Sequence, residues 1–397
     1  MRIALIADTF PPQRSSGAVQ LRDLSVEFVR QGHDVTVMVA APEQAEPWLL
    51  EFFQGVQVLR LRTPQTKDVG YVRRTLAELF MPFFMQLNYN HSPLATTRWD
   101  AVVWYSPSIF FGPLVRSLAV RSECPTYLII RDIFPEWAAD MGLMGKGLPY
   151  LFFKLMANYQ YSVANVIGVQ TSGNRVYFKR WEAKGRGRLQ VLQNWLADTP
   201  PGACSIVVDQ TPLRGRKIFV YAGNMGVAQG MDHILALVDA MQARSDVGFL
   251  FVGRGSDSQR LRAQAAQRQL SNVLFYDEID PDEIPGLYAQ CHVGIVALDV
   301  RHKTHNIPGK FISYMQSGLP VMAVINPGND LEQMIVSNQV GVVSTHPDTA
   351  GLVVKASELL QTLDETGNDT AARCRALYQQ LFSPQSAVTQ IVEALKS

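Results

Sequence analysis

Runs of β-branched and other apolar residues alternate along the chain with stretches of helical period. Ile3–Ala7, Val35–Val39, Val56–Leu61, Ala101–Trp104 and Thr126–Ile130 read as strands of a first half. Between the first two strands, Leu21, Leu24, Phe28 and Val29 share one helical face, and Gly32 closes that helix. A second half starts afresh at Ile218–Tyr221 and continues with Gly248–Val252, Val273–Tyr276, Val293–Ala297, Val321–Ile325 and Val340–Ser344. Strands that alternate with helices imply parallel sheets built from βα units, so the fold class is α/β with two Rossmann-like doubly wound domains. Ligands of such sheets bind beyond the carboxyl ends of the strands, and a cleft between the two domains is expected. Proline, glycine and charge at Ala197–Gly202 and Leu213–Arg216 mark the boundary. The expected domains are residues 1–196 and 197–383, with the last helix, residues 384–397, folding back onto the first.

Composition narrows the class. The chain has 397 residues, 47% hydrophobic and 18% charged, which fits a two-domain globular enzyme rather than a disordered chain. A net charge of +1 gives no global attraction to nucleic acid, so no nucleic-acid partner is expected. Cys124, Cys204, Cys291 and Cys374 are scattered without metal-ligand spacing, and no metal is expected. The short apolar run after Met1-Arg2 reads as a strand rather than a signal peptide, so the expected location is cytoplasmic. Leu76–Leu87 is apolar but too short to cross a bilayer; it is either core or an interfacial patch.

The chemistry concentrates at the predicted strand ends. Ile307-Pro308-Gly309-Lys310-Phe311 places a lysine in the first turn of a short helix, where backbone N–H groups and the helix dipole already favour an anion. Tyr221-Ala222-Gly223-Asn224-Met225-Gly226, followed by Gln229, is a small-residue turn through which backbone approaches a phosphate or sugar. Arg254, in Phe251-Val252-Gly253-Arg254-Gly255, adds a forked donor one βα unit later. Glu278, Ile279 and Asp280 follow the third strand, where backbone can hold a base; the competing reading for the carboxylates is a helix cap and solvated charge. These edges converge, and a diphosphate is the common target. In the first half, Arg131, Asp132 and Glu136 follow a strand and would hold charge or orient a sugar hydroxyl, while Tyr105, Ser106 and Ser108 line the acceptor side. A surface Arg131/Asp132 pair is the structural alternative. Tyr177–Arg188 interleaves aromatics with five basic residues, which suits adsorption to anionic headgroups; a solvated helix end with core aromatics is the alternative. No GxGxxG follows either first strand, which disfavours nicotinamide chemistry.

In order, YAGNMG with QG, FVGRG, Asp277-Glu278-Ile279 and IPGKF with SG and PV resemble glycosyltransferase family 4, the retaining GT-B nucleotide-sugar enzymes. ADTFPP with SSG, and RDIFPE, extend the resemblance over nearly the whole chain, towards bacterial O-antigen and capsule fucosaminyltransferase-like enzymes. The resemblance implies a UDP-linked sugar as co-substrate and no further cofactor. It implies a lipid-linked saccharide acceptor, with the protein peripheral on the inner leaflet. It places Ser16 and Gly17 at the donor phosphate, Asn224 and Gly226 beside the donor, and Arg254 and Lys310 on the leaving diphosphate. Many members flank the lysine with two glutamates; here the positions hold His305 and Ser313, and a hydroxyl bonds ribose more weakly than a carboxylate. Competing readings are a GT-B-type nucleotide-sugar epimerase and a non-enzymatic two-lobed sugar-binding protein.

Overall fold

The computed structural model describes residues 1–13, 15–66, 69–140, 142–183, 185, 187–299 and 307–396. The chain divides into two compact units, residues 1–194 with 384–397, and residues 195–383.

The first unit is built on strands β1 (Arg2–Ala7), β2 (Asp34–Ala40), β3 (Trp48–Phe53), β4 (Val56–Leu61), β5 (Ala101–Tyr105), β6 (Thr126–Ile129), β7 (Val166–Val169) and β8 (Arg188–Val191). They lie in the order β3-β4-β2-β1-β5-β6-β7-β8, parallel except for the edge strand β3. β1, β2 and β5 to β7 are buried almost throughout, which is why they read as continuous apolar runs rather than alternating ones. Three helices, Tyr71–Asn90, Gly112–Ser122 and Leu148–Ser162, pack side by side on one face over Ile6, Trp104, Leu128 and Ile167. The other face carries the helix Ser16–Arg30, against which the final helix Pro384–Lys396 packs. Gln31 Nε2 donates to the Gln385 carbonyl, Arg188 to that of Ala394 and Gln390 to that of Val191, tying the chain end to this unit.

The second unit has β9 (Lys217–Ala222), β10 (Val247–Val252), β11 (Val273–Tyr276), β12 (Val293–Ala297), β13 (Val321–Val324) and β14 (Gly341–Ser344), ordered β11-β10-β9-β12-β13-β14 and all parallel. Counted within the unit this is 3-2-1-4-5-6, with strand order reversing between β9 and β12. Tyr314 crosses beneath that reversal, its buried hydroxyl within 3.2 Å of both the Val220 and Ile295 carbonyl oxygens. Residues 198–203 of the expected linker are exposed and irregular, but the chain on either side of them is packed. Ile206, Val208 and Leu213 enter the core of this unit, the Gln316 amide donates to the Ala197 carbonyl at 2.5 Å, and Leu196 N donates to that of Phe382. Three strands went unread in the sequence: β3, β7 and β8.

Candidate functional site

Four adjacent strand ends of the second unit, β11, β10, β9 and β12, carry Glu278, Arg254, Gly223 and the approach to Lys310. The turns after β9 and β10 lie back to back. Met225 N donates to the Arg254 carbonyl at 2.7 Å, and Asp257 N to that of Met225 at 2.9 Å. This approach requires glycine: Gly253 sits at φ 140°, where an added Cβ would run into the Gly223 carbonyl oxygen, and Gly255 likewise faces Met225. Gln229 fastens the β9 turn, its Oε1 accepting from Gly226 N at 3.0 Å and Asn224 Nδ2 at 3.1 Å. Asn224 and Gln229, read as ligand contacts, thus bond one another.

Lys310 lies in the first turn of the helix Gly309–Gln316, whose cap Pro308 offers no side-chain acceptor. Its Nζ stands 3.6 Å from the centroid of the Tyr221 ring, and Gly223 lies beside it. Among the described residues no carboxylate pairs with Lys310, and desolvation lowers its pKa to about 7. A partly buried, uncompensated ammonium beside a glycine turn at the point of strand reversal is suited to a ligand that brings negative charge. Tyr221, the ring under the ammonium, was missed in the sequence; its hydroxyl donates to the Asn224 carbonyl at 2.5 Å, so the tyrosine also sets the turn.

Arg254 is ion-paired with Glu278 at 3.0 Å, although its side chain remains 80% exposed. Register explains the pair, because Val252 faces Tyr276 across β10 and β11 and each partner lies two residues further on. In this structure Glu278 engages a guanidinium and Asp280 caps the turn before Ile284 by accepting from Asp282 N at 3.0 Å, while Ile279 packs against the core. Ser313 donates to the Gly309 carbonyl at 3.3 Å. His305 lies outside the described residues.

The first unit presents its own strand ends. Ser16 opens a helix and is exposed; Ser15 caps that helix by accepting from Ala18 N. Gly17 lies over Tyr105, to which an added Cβ would come within 3.5 Å of Cε1. Tyr105 is buried, donates to Gln20 at 2.7 Å, and burial pushes its pKa up to about 12. Arg131 departs from expectation: it is buried and donates to the carbonyls of Leu192 at 3.0 Å and Gln193 at 3.3 Å, binding the segment after β8 to β6. Burial lowers its pKa, yet a guanidinium stays charged, so Arg131 acts first as a brace. Asp132 lies on the surface, and its carboxyl is close enough to the protein for desolvation to raise its pKa, against the pull of Arg131. Glu136, expected on the acceptor side, is buried against Lys154. Ser106 is wholly buried, and among the described residues its hydroxyl has no partner; Ser108 Oγ accepts from Phe110 N at 3.4 Å. In the basic aromatic segment Phe178 is core, and Trp181 packs on the core and donates to the Tyr161 carbonyl at 2.8 Å, while Tyr177 is exposed and its hydroxyl donates to Asp140 at 3.1 Å. Lys184 and Arg186 lie outside the described residues.

Two doubly wound units, one with the 3-2-1-4-5-6 sheet and an anion-ready strand reversal, define the GT-B fold. Solved structures agree: HepE of Anabaena in complex with UDP superposes with TM-score 0.64 at 16% identity, covering 100% of each chain. Sucrose-phosphate synthase of Thermosynechococcus elongatus gives TM-score 0.64 at 16% identity over 100% of this chain and 98% of that one. Residues 216–362 match the family described as glycosyl transferases group 1. An Escherichia coli (strain K12) protein named as a colanic acid biosynthesis glycosyl transferase, WcaI, is 26% identical over 74% of this chain and 76% of its own. A Pseudomonas aeruginosa protein named as a glycosyltransferase, WbjE, is 22% identical over 70% of each. The family match is thus confined to the second unit, and the likeness to the solved structures shows the GT-B fold.

Proposed function

We propose that the chain is a retaining, metal-independent glycosyltransferase of bacterial surface-polysaccharide synthesis. It moves a sugar, N-acetyl-fucosamine or a related amino sugar, from a UDP-linked donor to a lipid-linked saccharide. The observation that carries this reading is Lys310, an ammonium without a carboxylate partner among the described residues, held against Tyr221 and Gly223 at the strand reversal. Nucleotide-sugar chemistry needs a fixed positive group where the diphosphate departs, and preorganised charge there lowers the barrier without reorganisation. The C1–O bond to the diphosphate breaks with its electron pair going to the diphosphate. An acceptor oxygen bonds C1 on the same face, and its proton passes to a diphosphate oxygen. Lys310 and the first-turn N–H groups of its helix receive the growing charge, and Arg254 exchanges Glu278 for phosphate. Ser313, one turn after Lys310, gives its hydroxyl to the ribose in place of the Gly309 carbonyl. The HepE structure, in complex with UDP, supports the choice of nucleotide.

The test is incubation of the purified chain with a panel of UDP-sugars and a lipid-linked acceptor, reading the product's anomeric configuration. Transfer with retention, undiminished by chelator, is the expected result. Conversion of the nucleotide sugar without acceptor would instead identify an epimerase. Tight binding of free sugar with no nucleotide requirement would identify a binding protein.

A further inference from the structure

The helix Tyr71–Asn90 is apolar on both sides. Met81, Met85 and Tyr89 face the core, while Val72, Leu76, Phe80, Phe83, Phe84 and Leu87 stand exposed, Phe83 at 54%. At about 100° per residue these six fall within about a third of the circumference, and they run for roughly 22 Å along the axis. A helix apolar all round belongs inside a protein or in contact with lipid. Two places over in the same layer, Leu148, Leu151 and Leu155 form a second exposed stripe, Leu148 at 82%. Along the first stripe a groove of 320 Å³ is lined by Leu76, Phe80, Phe84 and Pro64, with Arg73 and Gln65 as its polar members.

Charge on this layer is one-sided. Its three helices carry Arg73, Arg74, Arg116, Arg121 and Lys154 against Glu78 as their one carboxylate, in a chain whose net charge is only +1. Arg116 and Arg121 are exposed on the middle helix, between the two apolar stripes. Arg74 pairs with Glu78 and Lys154 with Glu136, which leaves Arg73, Arg116 and Arg121 without a carboxylate among the described residues; apolar side chains beside such cations complement an anionic bilayer, where rings and aliphatic chains enter the acyl boundary and guanidinium groups meet phosphate. Among the described residues no helix is long and apolar enough to cross a membrane, so the contact is one of surface seating.

We infer that the outer side of this three-helix layer of the first unit docks on an anionic lipid bilayer. The docking surface lies on helices other than the Tyr177–Arg188 segment, in which Phe178 and Trp181 pack on the core. The inference does not depend on the donor site and is tested without nucleotide. The full chain is sedimented with vesicles of phosphatidylcholine alone and with vesicles containing phosphatidylglycerol, at low salt. Expected is binding to the anionic vesicles, weakened at least tenfold in the exposed-face variant Phe80→Ser/Phe83→Ser/Phe84→Ser and by roughly tenfold in Arg116→Glu/Arg121→Glu. Both variants alter exposed residues, and unchanged circular dichroism and melting confirm their folding. Absence of binding to anionic vesicles overturns the inference, as does equal binding by the folded variants. A concentration-dependent dimer of the wild type that the Phe→Ser variant dissolves also overturns it, since a second copy would then be the occupant.

Discussion

Replacing Lys310 by methionine separates the cost of holding a cation in this site from its use. Bringing a lysine from 10.5 to about 7 corresponds to at most about 5 kcal/mol at about 1.36 kcal/mol per tenfold. The side chain retains some contact with water, and the Tyr221 ring returns part of this cost, so the net penalty lies below that bound. Between pH 7 and 10.5 the unfolded chain binds the proton and the folded chain does not, so wild-type stability rises with pH through that window; below pH 7 the full penalty stands. Lys310→Met is therefore expected to raise the melting temperature of the ligand-free protein at pH 6.5 and to flatten its rise towards pH 10. The same lysine gives donor binding a protonic signature. With a pKa of about 7, Lys310 is largely neutral at pH 8, and a diphosphate beside the nitrogen restores the proton, so binding a UDP-sugar at that pH takes up a proton. Calorimetry in two buffers of different ionisation enthalpy measures this directly. No uptake by the wild type, or unaltered UDP-sugar affinity in Lys310→Met, would refute the reasoning.

Arg254→Ala removes an exposed ion pair and should change stability by under about 0.5 kcal/mol while weakening UDP-sugar affinity about tenfold or more by titration. Glu278→Gln frees the guanidinium and is expected to tighten binding; weaker binding would instead show Glu278 contacting the donor. Arg131→Leu strips two carbonyls of their donor and should cost about 2 to 4 kcal/mol in thermal unfolding, while UDP-sugar affinity in the second unit stays unchanged. Gly253→Ala forces a Cβ against the Gly223 carbonyl at a left-handed φ, and should cost about 3 kcal/mol or more and abolish UDP-sugar binding together with it.

What could be read in the sequence follows from where side chains lie. β9, β10 and β12 are buried on both faces and show as unbroken apolar runs. β3 is an edge strand with the composition WLLEFF, without β-branched residues, and β8 carries Arg188 and Gln190, so neither announces itself. Lys310 was legible because a helix-start lysine is a local signal. Its seat on Tyr221 was not, since the two residues meet only through the pairing of β9 with β12. The Arg254–Glu278 pair likewise depends on inter-strand register. Arg131 misled for the opposite reason: its sequence context resembled a site, and only tertiary packing reveals two carbonyls receiving its donors. A fully buried Ser106 at a strand end was likewise indistinguishable in sequence from an exposed one.

The first unit is discontinuous, made of residues 1–194 and 384–397 with the whole second unit between them. During synthesis its first 194 residues leave the ribosome without the helix that covers Ser16–Arg30, and the entire second unit is translated before that helix arrives. The unit whose chain starts first is thus the last to be completed. Until then one flank of the helix Ser16–Arg30 stays uncovered, and a ribosome stalled anywhere between residues 195 and 383 leaves that unit unfinished.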